Sequence, residues 1–409
     1  MHILIVTQYF WPENFKINDL VVGLLERGHK VTVLTALPNY PEGNFFKGYS
    51  LWGRFTEDFN GAKVVRVPII PRGSATGVRL ALNYFSFVVS ACLLGPLRCT
   101  DDYDVTFIFE PSPITVALPA LLIKRLRGIP ALFWVQDLWP ESLTATGAVS
   151  SPFIIKLVGK LVGFIYRGCD RILITSRAFT ASVHQYVKDR GQISYFPQYG
   201  ENAYRPVVLP VDAPERSKIP AGFVIMFAGN IGAAQDFESI IDAATLLREY
   251  HDIHFVVLGD GRKRRWVEDE VSRLGLHATV HLIGSYPLEA MPSFFSLADA
   301  MLVTLKNDPV FSLTIPAKIQ SYLACGRPII AALDGEGARV VEEAGAGFVC
   351  QSGAPQELAQ AVLKMYETPK REREKMGASG RAYYEANFDR DMLLDRLETW
   401  MKETKLVRR

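Results

Sequence analysis

Short apolar runs alternate with helix-patterned stretches along nearly the whole chain, in two successive blocks. The first block holds ILIVT (3–7), KVTVLTA (30–36), KVVRVPI (63–69), VTFIFE (105–110), ALFWVQD (131–137) and RILITS (171–176). The second holds FVIMFAGN (223–230), HFVVLGDG (254–261), VHLIG (280–284), AMLVTL (300–305), PIIAAL (328–333) and GFVC (347–350). Runs that are apolar at successive positions are strands buried on both faces, the mark of parallel sheets covered by helices. Helices are expected near 15–27, 79–95, 114–127, 152–167 and 177–190, and two more near 370–387 and 390–405 close the chain. Polar, Pro-containing sequence from Pro197 to Pro220 interrupts the alternation as a linker would. The fold class is therefore α/β, with two doubly wound Rossmann-like domains at 1–200 and 220–387 and a linker at 201–219. A chain of 409 residues, 49% hydrophobic, is long enough for two cores.

Charge and cysteine content narrow the function. With 45 basic and 43 acidic residues the net charge is +2, which argues against a nucleic-acid-coating protein. Five scattered cysteines without a C-x-x-C pair suggest neither a disulfide framework nor a zinc site, and fit a reducing cytoplasm. The start, MHILIVTQYFWPEN, lacks the pattern of a secretory leader. The segment 80–97 carries no charge and lies between Arg79 and Arg98, at the lower limit of length for a membrane span. Asn83, Ser86 and Ser90 recur at helical spacing and Gly95-Pro96 ends the run, so a packed core helix with one less apolar face is expected. A lipid-touching face and a true span are the alternatives.

In doubly wound sheets ligands bind beyond the carboxyl ends of the strands, and with two facing domains that places the site in a cleft. The first strand runs into QYFWPENFKIND, which has no glycine, so dinucleotide chemistry loses its fingerprint. The second block has glycines at strand ends: Gly229 and Gly232, then Gly259 and Gly261. They would let backbone N–H groups approach a phosphate, or would simply make turns. In IPAKIQSYLACG, Ser312 or Thr314 can cap and Pro316 can open a helix from 315 to 325 that ends at Gly326. Lys318 then stands in the first turn, where the dipole disfavours a cation. An anionic ligand held by both lysine and helix terminus would explain the choice; a solvent-facing lysine is the plain alternative. Carboxylates at first-block strand ends, Glu13, Glu110, Asp137 and Glu141, are candidates for acid/base work, Asp137 foremost, with turn or cap roles as the alternative. The histidines show no metal-ligand spacing.

The motifs PEN (12–14), RGHKVTVLTALPNYPEG (27–43), VQDLWPES (135–142), YFPQYGE (195–201), FAGNIGAAQDFESIIDAA (227–244), VLGDG, IPAKIQSYLACGRPI and GEGARVVEEAGAGF (335–348) keep an order that resembles GT-B glycosyltransferases of family 4, near the WbuB-like bacterial polysaccharide transferases. The resemblance implies a nucleotide-sugar donor in the second domain, an acceptor in the first, no metal or other cofactor, and a C-terminal helix, about 388–409, returning to the first domain. Carried onto this chain, it implies donor contacts from Gly229, Asn230, Gly232, Gly259, Gly261, Gly284, Tyr286, Ser312, Thr314, Pro316 and Ser321. Acceptor contacts fall to Pro12, Asn14, Glu110, Trp139 and Glu141, and catalysis to Lys318, Asp137 and Glu13. UDP is the expected nucleotide, N-acetylfucosamine or a similar N-acetylated 6-deoxyhexose the sugar, and a polyprenyl-diphosphate-linked saccharide the acceptor. The expected location is the cytoplasm, on the inner face of the plasma membrane. The chain departs from the family at its diphosphate-binding arginine and lysine, replaced by Asn230 and Gln235. The paired glutamates, which would fall near Leu313 and Ser321, are also missing. A sugar-nucleotide 2-epimerase and a non-catalytic partner subunit are the competing readings.

Overall fold

A computed structural model describes all residues except 54, 75, 146–148, 150 and 407–409. It divides into two units, Met1–Phe196 with Leu393–Arg409, and Pro197–Met392. The division thus falls at 196/197, and the segment 201–219 counts with the second unit instead of standing between the two. There Tyr204 stacks on Phe295 with ring centroids 5.8 Å apart.

The first unit is built on an eight-stranded sheet: β1 (His2–Val6), β2 (Lys30–Ala36), β3 (Thr56–Phe59), β4 (Ala62–Val67), β5 (Val105–Glu110), β6 (Ala131–Val135), β7 (Arg171–Ile174) and β8 (Ile193–Tyr195). Their order is β3-β4-β2-β1-β5-β6-β7-β8, parallel except for the antiparallel β3 at one edge. All six expected strands form. The short edge strands β3 and β8 are not foreseen from the sequence because TEDF and ISY carry no buried apolar run. The expected helix over 177–190 contracts to Phe179–His184. The C-terminal helix Arg390–Leu406 packs on this unit: Glu398 lies 3.4 Å from Arg27 and 3.2 Å from His29, Glu403 pairs with Arg171 (2.8 Å), and Trp400 meets Phe196. The last three residues of the expected 388–409 segment, 407–409, lie outside the described residues.

The uncharged segment forms one helix, Gly77–Arg98, which continues through Pro96. Its orientation reverses the expectation of a core helix with a polar outer face. The stripe Asn83, Phe87, Ala91, Gly95 is the buried one, while Val78, Leu82, Phe85, Val89, Leu93 and Leu97 are exposed. Asn83 can be buried because its amide is satisfied: it accepts from Gln8 Nε2 (2.7 Å) and donates to the Ile70 carbonyl (2.6 Å). The helix is long and apolar enough to cross a membrane by length and composition.

The second unit has a six-stranded, wholly parallel sheet: β9 (Phe223–Ala228), β10 (Ile253–Leu258), β11 (Val280–Gly284), β12 (Ala300–Thr304), β13 (Ile329–Ala332) and β14 (Gly347–Cys350). Its order is β11-β10-β9-β12-β13-β14. β9, β10 and β12 have every residue buried. One core cluster lies on each side of this sheet, so helices cover both faces as the unbroken apolar runs require.

Candidate functional site

In the second unit the ends of β9 and β10 meet the start of the helix Ala317–Ala324. Tyr322, fully buried on that helix, locks the two together: its hydroxyl accepts from the Ala228 N–H (3.0 Å) and donates to the Ala228 carbonyl (3.2 Å). The helix therefore presents Lys318 to the turn that follows β9. The ammonium lies 3.5 Å from the centre of the Phe227 ring and donates to the Gln235 amide oxygen. Part of the residue still touches solvent, but the charged end is enclosed, and burial holds its pKa well below the usual lysine range. Among the described residues no carboxylate pairs with it. A desolvated ammonium facing only a ring and a neutral amide is short of an anion.

Glycine at 229 is a requirement of this packing. Its φ is +134°, and a β-carbon there would stand 2.8 Å from Lys318 Cε. Gly259, with φ +144°, is required for a different reason, since a β-carbon there would sit 1.9 Å from the Gly229 carbonyl oxygen. The turns after β9 and β10 are in backbone contact, with Gly229 donating to Leu258 (2.8 Å), Ile231 to Asp260 (2.8 Å) and Gly259 to Gly284 (2.8 Å). Those N–H groups are engaged, so Gly259 and Gly261 serve the fit of two loops and Gly284 supplies a carbonyl. Asn230 keeps its side chain over Gly232 and Gly261.

Ser312 and Thr314 sit differently from the sequence-based expectation of a cap: their hydroxyls donate back to the carbonyls of Pro309 (2.8 Å) and Phe311 (2.9 Å), inside and just after the short helix Pro309–Ser312. Pro316 is the residue that precedes the Lys318 helix, and no side chain caps it. Ser321 is buried and turns to its own helix, donating to Ala317 (3.3 Å). Tyr286 packs on Phe294 (4.4 Å) under the Lys218 ammonium. In the basic run after β10, Lys263 pairs with Glu238 and Arg264 with Glu268 (2.8 Å).

In the first unit the strand ends gather the carboxylates. Glu13 is buried and fully used, its Oε1 accepting from Asn39 N (2.8 Å) and Tyr40 N (2.7 Å) and its Oε2 from Phe10 N (3.2 Å). Burial pushes it up to about 7 against the pull of those amides. That geometry is a brace between two loops; Pro12 and the exposed Asn14 flank it. Glu110 ends β5, fully buried, and accepts from the N–H groups of Gln136 and Asp137 (3.3 Å each). Burial, with the Asp137 charge beside it, holds Glu110 well above the carboxyl range. Asp137, half-buried just beyond β6, is pushed up by burial to about 6. Trp139 neighbours Glu110, while Glu141 opens the helix Glu141–Ala145 and acts on Tyr166 and Tyr186.

Sequence reasoning missed a cluster beside Asp137. Tyr84, on the helix Gly77–Arg98, feels the Asp137 charge and hydrogen-bonds Tyr9. Tyr9 in turn accepts from Arg72 Nη1 (3.3 Å), whose guanidinium faces the Tyr40 ring at 5.0 Å. Only the tyrosines near PEN and the arginine of PRGSATG hinted at it.

Two Rossmann-like doubly wound units in one chain are the GT-B glycosyltransferase architecture. The model of "Glycosyl transferase 4-like domain" matches residues 15–198, and that of "Glycosyl transferases group 1" matches 213–383. The chain belongs to the family 4 glycosyltransferases, group 1, and is a transferase enzyme. It is 27% identical over 302 residues to a probable glycosyltransferase, WbjE, of Pseudomonas aeruginosa, covering 70% of this chain and 72% of that one. It is 26% identical over 323 residues to the putative colanic acid biosynthesis glycosyl transferase WcaI of Escherichia coli K12, covering 76% of each. A crystal structure of Anabaena HepE in complex with UDP and glucose shares the fold, with a TM-score of 0.68, 15% identity, and 98% of this chain and 99% of that chain covered.

Proposed function

We propose that the enzyme moves an N-acetylated 6-deoxyhexose, N-acetylfucosamine being the specific candidate, from a UDP-linked donor to a lipid-linked saccharide in cell-surface polysaccharide assembly. The observation that carries this reading is Lys318, a desolvated cation with no carboxylate partner among the described residues, at the strand ends where the donor diphosphate is expected. As the bond from the anomeric carbon to the diphosphate breaks, negative charge grows on the leaving oxygen, and a pre-positioned ammonium stabilises it. Gln235 fits the same picture. It occupies the position of the family's lysine and meets the Lys318 tip, so one lysine from another element serves where the family uses a side chain of the β9 turn. The start of the Ala317–Ala324 helix adds N–H donors.

Asp137 is the group for the acceptor proton: raised to about 6 by burial, it is ionised at neutral pH and basic enough to take a hydroxyl proton as transfer proceeds. With Lys318 as the neutralising cation, the proposed transfer proceeds without a metal. The relative named for colanic acid biosynthesis supports a polysaccharide pathway. Attachment to the inner face of the plasma membrane is supported by the helix Pro152–Gly168, where exposed Phe153, Leu157 and Phe164 alternate with Lys156, Lys160 and Arg167.

Screening the purified protein against nucleotide-sugars by thermal shift tests the donor. A ligand at 100 times its dissociation constant stabilises by about 2.7 kcal/mol. UDP-N-acetylfucosamine should raise Tm most, and EDTA should leave turnover unchanged. Stabilisation by no nucleotide-sugar would sink the proposal.

A further inference from the structure

A second cationic site lies in the second unit, at the far end of the helix that carries Lys318. Asp299 immediately precedes β12 and Pro328 immediately precedes β13, so the site sits at the amino ends of those strands. A cavity of about 150 Å³ opens there, between Asp299, Gly326 and Arg327 on one side and Lys370, Arg373 and Glu374, from the helix Lys370–Asn387, on the other. At roughly 30 Å³ per water molecule that is room for about five waters, enough for a small oxyanion.

The walls are fixed. Gly377 lets the helix Lys370–Asn387 touch the turn at Gly326, since a β-carbon at 377 would stand 2.1 Å from the Gly326 carbonyl oxygen. Arg381 of the same helix donates to the Ala324 carbonyl (2.6 Å). Asp299 and Arg373 satisfy one another: Arg373 Nη2 donates to Asp299 Oδ1 (2.9 Å) and Nη1 to the Thr368 carbonyl (2.5 Å), while Asp299 Oδ2 accepts from the Val224 N–H (3.0 Å). Arg327 is the group left over. Its Nε is enclosed and, among the described residues, has no hydrogen-bond partner, and no carboxylate pairs with its guanidinium. Burial pushes its pKa down, against the pull of Asp299 and Glu374. Lys370 and Glu374, exposed at the mouth, also have no ion pair among the described residues. With Asp299 and Arg373 cancelling, two cations face one carboxylate. A guanidinium with an enclosed, unmade N–H bond beside a second cation calls for a charged acceptor.

We propose that this cavity binds a small free oxyanion of the phosphate class, held by Arg327 and Lys370, and that its occupation favours donor binding through the helix Ala317–Ala324. Arg327 follows that helix closely, and its N–H donates to the carbonyl of Tyr322 (3.2 Å), the residue whose hydroxyl ties the helix to Ala228. An anion that draws in the Arg327 side chain braces one end of an element about 12 Å long whose other end bears Lys318. The anion site stands without the transferase reading; its coupling to the donor rests on that reading.

Calorimetric titration of inorganic phosphate into the UDP-saturated protein tests the site, with UDP keeping the probe off Lys318. Arg327→Gln should weaken phosphate binding about tenfold or more, the loss of a charge-assisted contact. Lys370→Gln at the exposed mouth should weaken it about threefold, and Glu374→Gln, which removes the opposing charge, should tighten it by about as much. UDP binding by each variant shows that it folds. Glucose 1-phosphate, too large for the cavity, should bind less tightly than phosphate; equal affinity would overturn the assignment to a free ion. Absence of phosphate binding by the wild type overturns the site, and so does wild-type phosphate affinity in both Arg327→Gln and Lys370→Gln. For the coupling, UDP affinity is compared in phosphate and in chloride of equal ionic strength. Relative to Arg327→Gln, the wild type should gain about fivefold in phosphate, and an identical response of the two proteins refutes the coupling. A wild type that binds phosphate but no UDP counts against the transferase reading and not against the site.

Discussion

Replacing Lys318 by methionine should separate catalysis from folding. The substitution removes the ammonium and keeps an unbranched chain of similar length in the channel between Phe227 and Gly229. Loss of one pre-positioned donor to the leaving oxygen lowers turnover by about 10² to 10³. That corresponds to about 2.7 to 4.1 kcal/mol of transition-state stabilisation. Folding should move the other way. The buried ammonium faces only a neutral amide and a ring, so an apolar chain in its place leaves Tm unchanged or raises it. A second readout follows from the depressed pKa. In the free enzyme burial favours neutral Lys318; a bound diphosphate favours the charged form. Donor binding therefore takes up a proton once the pH exceeds the free-enzyme value, and affinity falls as pH rises through it. Calorimetry of UDP binding in two buffers of different ionisation enthalpy should show this uptake in the wild type and not in Lys318→Met. Turnover within about threefold of wild type in a folded Lys318→Met enzyme would refute the reasoning, because one lost catalytic donor is worth far more than that.

Asp137 should govern the acid limb of the pH profile: kcat rises with pH up to about 6 and is level above it, because the carboxylate is the active form. Asp137→Asn should abolish that limb and cost about 10² to 10⁴ in kcat, as removal of a general base does. Gly259→Ala should lower stability by about 3 kcal/mol, since its β-carbon would strike the Gly229 carbonyl; a denaturant midpoint equal to that of the wild type would contradict the packing described. Tyr322→Phe should lower stability by about 1 to 2 kcal/mol, seen in denaturant melts. It should also raise KM for the donor, because the helix bearing Lys318 is no longer tied to Ala228.

Much of the fold could be read directly. Strands such as VTFIFE and FVIMFA are apolar at nearly every position, and only a sheet covered on both sides buries such a run. The segment around Lys318 was legible for the same local reason, since Pro316 and Gly326 bracket a helix whose first turn holds a cation. Its caps were misread: Ser312 and Thr314 belong to a separate short helix, and their hydroxyls find carbonyls nearer than any free N–H. The segment 80–97 failed more instructively. Helical spacing locates two faces but does not say which one is inside, and a polar residue such as Asn83 belongs inside once Gln8 and Ile70 satisfy it.

The sequence by itself determined two parallel-sheet units, the transferase family, and a lysine at the strand ends of the second unit. Local periodicity and motif order suffice for those. Only the tertiary structure decided that Lys318 meets Gln235, 83 positions away, and that Gly259 exists to admit Gly229. It also decided that Arg72, Tyr9 and Tyr84 gather beside Asp137. Each of these depends on which strand ends are neighbours, and strand order in a doubly wound sheet is set by the crossovers of the whole chain, not by any segment read alone.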